Sequence, residues 1–201
     1  RQFQQYTFDY LELFDMTDLS LIDKIDTFDT IDLNIQDFET LTKDKEMIDL
    51  IEKAYNKALR MTNRQTFQAM EAFVHNLNNL HSRAGAQVPF SSINFGTDTS
   101  PEGRMVINNY LLALEDGLGK GETPIFPISI FKVKEGVNYF EEDPNYDLFK
   151  QAIKTSAKRL FPNFSCLDAD FNHQYYKEGN YETEITYMGC RTRVMSDVTD
   201  P

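Results

Sequence analysis

Val88-Pro89-Phe90-Ser91-Ser92-Ile93-Asn94-Phe95-Gly96-Thr97-Asp98-Thr99-Ser100-Pro101-Glu102 is the stretch on which the fold turns. Its first half reads as a strand that ends at Gly96. Ser100 followed by Pro101 suits an N-cap and a first helical residue, and Thr99 with Glu102 has capping-box spacing. The helix so opened runs to about Asp116 and stops at Gly117 or Gly119. Residues 124–133 then read as a second strand, with Pro124 and Pro127 near its start, where a strand tolerates proline best. A helix over 145–160 follows, with Phe149, Ala152, Ile153, Ser156 and Leu160 on its buried side, and Pro162 ends it. Residues 163–169 form a third strand, and a Gly179-Asn180 turn leads on through 181–187. Strand–helix–strand–helix–strand predicts the α/β class, with parallel strands and right-handed crossovers. Ligands in such sheets sit at the carboxyl ends of strands. The segment 96–100 lies at one of those ends, where it either cradles a phosphate or simply caps the helix.

Working outward toward the N-terminus, Met47, Leu50, Ile51, Ala54, Ala58 and Met61 fall at helical spacing. Thr62-Asn63 breaks the pattern, and a second stripe follows in Phe67, Met70, Phe73, Val74, Leu77 and Leu80. The two predict an antiparallel helical pair over 46–87. Residues 1–45 repeat apolar–acid pairs without a fixed period and read as short helices and turns with solvated carboxylates; the spacing of a calcium loop is missing. Residues 88–201 form the α/β part.

The formal net charge of −12 argues against a nucleic-acid polymer as partner, because phosphate neutralisation needs a basic surface. A mononucleotide, which needs only a few cations and backbone N–H groups, is compatible with it. Two cysteines, Cys166 and Cys190, make no disulfide framework, and no apolar run approaches the roughly 18 residues of a membrane span. A reduced, cytoplasmic setting is expected. The chain starts at Arg1 and reads as a central piece of a longer polypeptide. The loop 117–122 looks like a nucleotide loop, but no Ser or Thr follows Lys120 and a helix precedes it, so it reads as a helix stop.

The stretch Ile185-Thr186-Tyr187-Met188-Gly189-Cys190-Arg191-Thr192-Arg193 places a thiol after a glycine and beside two arginines. Gly189 lets the backbone turn where a Cβ clashes, and the cations attract anionic ligands. Cys166, in an apolar strand, reads as a structural cysteine. His81, at the end of the helical pair, has no partner at metal-ligand spacing, so no metal site is expected.

Together with residues 80–104, the cysteine motif resembles the catalytic subunit of the anaerobic (class III) ribonucleoside-triphosphate reductases, which are glycyl-radical enzymes. The resemblance runs from about Tyr55 to Val194 and is densest over Gln68–Gly103, Gly119–Tyr146, Ala157–Phe164 and Tyr187–Val194. It implies a fold, a partial ten-stranded α/β barrel preceded by a helical segment, with a finger loop near 187–194. It implies a reaction too, reduction of NTPs to dNTPs for DNA replication. On this reading Cys190 is the transient thiyl radical, and Arg191 and Arg193 fix its loop or meet phosphates. Ser91, Ser92 and Asn94 then support the site or bind substrate; ordinary hydrogen bonding within a barrel wall is the equal alternative. His81, Arg83 and Phe95 are candidates for allosteric dNTP effector contacts near a homodimer interface.

The same resemblance implies, for the parent enzyme, a glycyl radical, a zinc site, ATP and dNTP effectors, formate as reductant and an activase that uses S-adenosylmethionine. None of these groups has its family motif in this chain, nor does the family's second catalytic cysteine, so the isolated chain is expected to be inactive. A different class of function stays open beside the enzyme: an effector-nucleotide-binding or dimerisation module without catalysis.

Overall fold

The computed structural model describes residues 2–13, 19–25, 27–28, 30–81, 85–190 and 192–195. The chain divides into two compact units, residues 1–66 and 67–201. No helix among the described residues is long and apolar enough to cross a membrane.

The first unit is helical: α1 (Gln2–Leu13), α2 (Leu19–Ile25), α3 (Ile35–Leu41) and the first part of α4 (Lys45–Asn79). The Asn34 side chain accepts from the Gln36 N–H, and the Asp37 carboxylate accepts from the Asn34 N–H, so α3 opens with a complete capping box. Leu21, Ile25, Phe38, Leu41 and Ile51 form its core. Phe3, Phe38 and Tyr55 pack ring against ring at centroid distances of 5.3–6.1 Å. Tyr55 also donates its hydroxyl hydrogen to Ile31 O at 2.6 Å and accepts from Leu33 N at 3.1 Å.

Helix α4 corrects the sequence reading, because it passes unbroken through Thr62-Asn63 as one helix of 35 residues instead of a pair. Thr and Asn cost only a few tenths of a kcal/mol each in a helix interior. Thr66 Oγ1 donates to Thr62 O one turn back, and α4 contains neither Gly nor Pro.

In the second unit, β1 (Ser92–Phe95), β2 (Ile128–Val133) and β3 (Asn163–Cys166) form a parallel sheet in the order β1-β2-β3. Helices α5 (Pro101–Asp116) and α6 (Tyr146–Arg159) make the two crossovers. The α/β class and the parallel order expected from the sequence are both present. The described residues form a three-stranded sheet, not a closed ring. Ser100 caps α5 by accepting from the Gly103 N–H, and Gly117, at φ 78°, ends it. The strands are shorter than the apolar runs that announced them, for a local reason. Pro124 and Pro127 offer no N–H, and the Asn78 side-chain oxygen accepts the N–H groups of Ile125 and Phe126 before they can join the ladder.

Strand alternation sorts the sheet into two faces. Phe95, Phe131 and Val133 meet Ile107, Leu111, Leu148 and Ala152 of α5 and α6 in the core, and Ile93 packs beside them against Val74, Tyr110 and Leu114. Tyr110 joins this side, donating to Ser129 Oγ, which in turn donates to Pro127 O. The opposite face is built differently: Ser92 and Asn94 from β1, Ile130 and Lys132 from β2, Ser165 from β3. A short helix α7 (Asp170–His173) and an antiparallel hairpin, β4 (Thr186–Met188) and β5 (Thr192–Val194), complete the unit.

Candidate active site

The hairpin presents its turn at Gly189-Cys190. Gly189 adopts φ 65°, a conformation that L side chains rarely take, and is buried. A Cβ there would sit 3.3 Å from the Phe90 ring. Cys190 is a free, exposed cysteine at the tip. Its side chain is neither packed into the core nor carried on an unstructured tail.

The polar face of the sheet holds this tip. Asn94 Nδ2 donates to Tyr187 O at 2.8 Å, and Asn94 Oδ1 accepts from Tyr187 N at 2.9 Å. Gly189 N donates to Ser92 Oγ at 3.1 Å. Just before the hairpin, Glu184 pairs with Lys132 at 2.7 Å, and Lys134 approaches the other carboxylate oxygen at 3.7 Å. On the far strand Arg193 donates to Phe171 O at 2.8 Å and lies over the Phe171 ring.

The expected site residues therefore separate into groups. Ser92, Asn94 and Cys190 come together, through side chain to main chain contacts. Ser91 is turned back on its own chain, toward Pro89 O. Arg193 supports the hairpin by way of α7, while Arg191 lies outside the described residues. His81 is exposed two residues beyond α4, so it does not form the helix's last turn; Arg83 lies outside the described residues. Phe95 directs its ring into the core, 5.0 Å from Tyr110 and 5.5 Å from Phe131. Cys166, read from its apolar strand as a structural cysteine, is exposed on β3, an edge strand of the sheet.

Sequence reasoning missed the asparagines. Asn78 clamps the main chain of Ile125 and Phe126. The fully buried Asn138 and Asn145 both donate to Gly96 O; Asn138 also donates to Lys132 O, and Asn145 to Asp98 O. Arg104 closes the cluster by donating to Asn145 Oδ1, Pro144 O and the Asp147 carboxylate. These contacts fix the loop 96–100 at the carboxyl end of β1. Asp98 is consumed in the same loop, accepting from the N–H and hydroxyl of Ser100, which leaves capping as the structural role of this turn. No sequence signal marked them: Asn145 stands at the N-cap position of α6 but makes no side-chain cap bond, and Asn78 and Asn138 sit in ordinary polar surroundings in the sequence.

Among the described residues, no group of three or more His, Cys, Asp or Glu is placed to hold a metal ion. The zinc site implied for the parent has no fit here.

Comparison with known proteins places the chain in a family. The family model described as anaerobic ribonucleoside-triphosphate reductase matches residues 25–200. Proteins of that name are similar over about 70% of the chain. The one from Enterobacteria phage T4 is 36% identical over 143 residues, 71% of this chain and 23% of its own length. That from Haemophilus influenzae is 32% identical over 141 residues, 70% and 18%. That from Escherichia coli is 31% identical over 132 residues, 65% and 17%. The chain thus spans about a fifth of the length of the relatives it matches. With a match across most of its residues, the chain belongs to the anaerobic ribonucleoside-triphosphate reductase family.

Proposed function

We propose that this chain is a central part of a reductase that converts ribonucleoside triphosphates to their deoxy forms, and that Cys190 is its hydrogen-abstracting thiol. The observation that supports this most is the presentation of Cys190. It is the exposed tip of a hairpin whose preceding residues are fixed to the polar face of a parallel sheet. The sheet and its same-sided crossovers fit a segment of a ten-stranded α/β barrel, with the polar face turned inward and the hairpin as its finger loop.

Hydrogen-atom transfer needs a single sulfur held within van der Waals reach of the sugar, in a place that excludes water. A thiyl at Cys190 takes a hydrogen atom from the ribose C3′, leaving the radical on carbon and S–H on the cysteine; the 2′-hydroxyl takes up a proton and leaves as water, formate supplies the hydrogen and electron pair that C2′ gains and is oxidised to CO2, and the cysteine returns its hydrogen atom to C3′. The one-electron oxidation of the thiol is the contribution of the parent's glycyl radical. What this chain's residues do is hold the sulfur still. Residues 46–87, which include His81 and Arg83, are proposed as the region of effector and dimer contacts; Phe95, with its ring in the core, is not kept in that set. A cytoplasmic setting, an activase and formate as reductant belong to the same reading of the whole enzyme.

The test is Cys190→Ser in the full-length protein after activation. The expected result is loss of dNTP formation with glycyl radical content unchanged in electron paramagnetic resonance. Appreciable residual reduction removes Cys190 from the role. The isolated 201-residue chain is expected to show no turnover.

A further inference from the structure

Asn94 and Ser92 lie on one strand, two residues apart, so both side chains project from the same face of the sheet. Each reaches main-chain atoms 93 or 97 residues further along the chain. Asn94 presents one N–H donor and one carbonyl acceptor, as a peptide group does, and takes both main-chain groups of Tyr187, the middle residue of β4. Ser92 accepts from the N–H of Gly189, the residue immediately before the thiol. Beyond that hydrogen bond the chain has one peptide unit left before the Cys190 Cα. A Cβ at Gly189 would meet the Phe90 ring at 3.3 Å.

We propose that Ser92 and Asn94 are positioning residues that set where the Cys190 sulfur stands. The hairpin backbone engages one N–H and the carbonyl of Asn94 and the acceptor side of the Ser92 hydroxyl, which assigns both residues to the loop. The proposal rests on the reading of Cys190 as the reacting thiol. Asn94 fixes the level of the ascending strand, and Ser92 fixes the turn itself. Displacement of a reacting group by about 1 Å costs on the order of a hundredfold in rate, while substrate binding elsewhere is untouched.

The experiment uses the full-length reductase, activated to equal radical content, with Ser92→Ala, Ser92→Thr, Asn94→Ala and Cys190→Ser compared. Expected for Ser92→Ala and Asn94→Ala is a fall in kcat of about ten- to a hundredfold with KM for the nucleotide within about twofold of wild type. Ser92→Thr keeps the acceptor hydroxyl and restores turnover to within about threefold. A kcat within twofold of wild type in both alanine variants overturns the proposal, as does a rise in KM with kcat preserved, which marks substrate contacts. Ser92→Thr falling as far as Ser92→Ala also overturns the role of the hydroxyl. Cys190→Ser separates the two readings. If it retains turnover, the thiol's own role has failed; if it is inactive while the alanine variants are not, only the positioning role has.

Discussion

Lys132 Nζ lies 2.7 Å from Glu184 Oε1, with the two side chains only 8% and 11% exposed. This nearly enclosed ion pair joins the polar face of the central strand to the residue that leads into the cysteine hairpin. Removing one partner of such a pair strands the other charge out of water, at a cost of about 3–5 kcal/mol. Lys132→Met leaves Glu184 the longer contact with Lys134 at 3.7 Å, so it is expected to lower unfolding free energy in urea, by less than that full amount. The double variant Lys132→Met/Glu184→Leu should recover most of it, since an apolar pair of similar volume leaves no charge behind. A double variant no more stable than the single would show that the pair's geometry, and not the stranded charge, sets the cost.

Gly189 is expected to resist substitution for two separate reasons. Its φ of 65° costs an L residue about 1–2 kcal/mol, and a Cβ meets the Phe90 ring at 3.3 Å. Gly189→Ala should lower stability by about that first figure and reduce turnover of the full-length enzyme much more than its fold. Trimming the ring in Gly189→Ala/Phe90→Ala removes the second obstacle only. If the single variant is as stable and as active as wild type, the turn is not held as described.

The α/β core was legible because each of its elements carries a local signature. Ser100-Pro101 opens α5 and Gly117 closes it, and Phe149 and Ala152 lie on the packed side of α6 as expected, whereas Ile153 and Leu160, expected beside them, are exposed and Leu148 and Thr155 are buried instead. What closes the structure over long sequence distances left no such mark. Asn94 and Tyr187 are 93 residues apart, and a polar residue on a strand looks the same whether it lines a pocket or grips a backbone. The expected break in α4 failed for the opposite reason: a weak local preference at Thr62-Asn63 was weighed too heavily in a helix with no Gly or Pro. The exposure of Cys166 was not legible, because strand composition does not say which strands lie at the edge. The place of Cys190 at an exposed loop tip was legible, since a glycine before a cysteine and arginines after it form a compact motif; the tethers of that loop were not.

Arg159 joins the ends of two helices. Its guanidinium donates to Glu115 O through Nε and Nη2, to Asp116 O through Nη2 and to Gly121 O through Nη1. The carbonyls at the end of α5, unsatisfied within the helix, are thereby given a cation. Hydrogen bonds from a charged group contribute about 1.5–3 kcal/mol, so Arg159→Ala should cost about 2 kcal/mol in urea unfolding. Arg159→Lys should recover little, because one ammonium cannot span carbonyls that a planar fork reaches together. Full recovery by lysine would mean that charge alone is at work.

Glu115 supplies a pH dependence whose sign follows from its surroundings. Burial pushes its carboxyl up, but the Gln151 amide at 2.9 Å and the ammonium groups of Lys154 and Lys158, at 3.4 and 3.5 Å, outweigh burial and hold it below its ordinary value of 4.5. A carboxyl whose folded pKa is depressed stabilises the fold above its unfolded pKa, and that contribution is lost as pH falls through the folded value. Wild type should therefore be more stable than Glu115→Gln at pH 6–7, and the two should converge as the pH drops below about 4.5. Because Lys154 is 66% and Lys158 51% exposed, salt should shrink the difference at neutral pH without reversing it. Urea unfolding of both proteins at pH 7, 5 and 3.5, each with and without added salt, measures this. A gap between them that widens toward acid would require the folded pKa to be raised, and would overturn the balance of contacts assigned to Glu115.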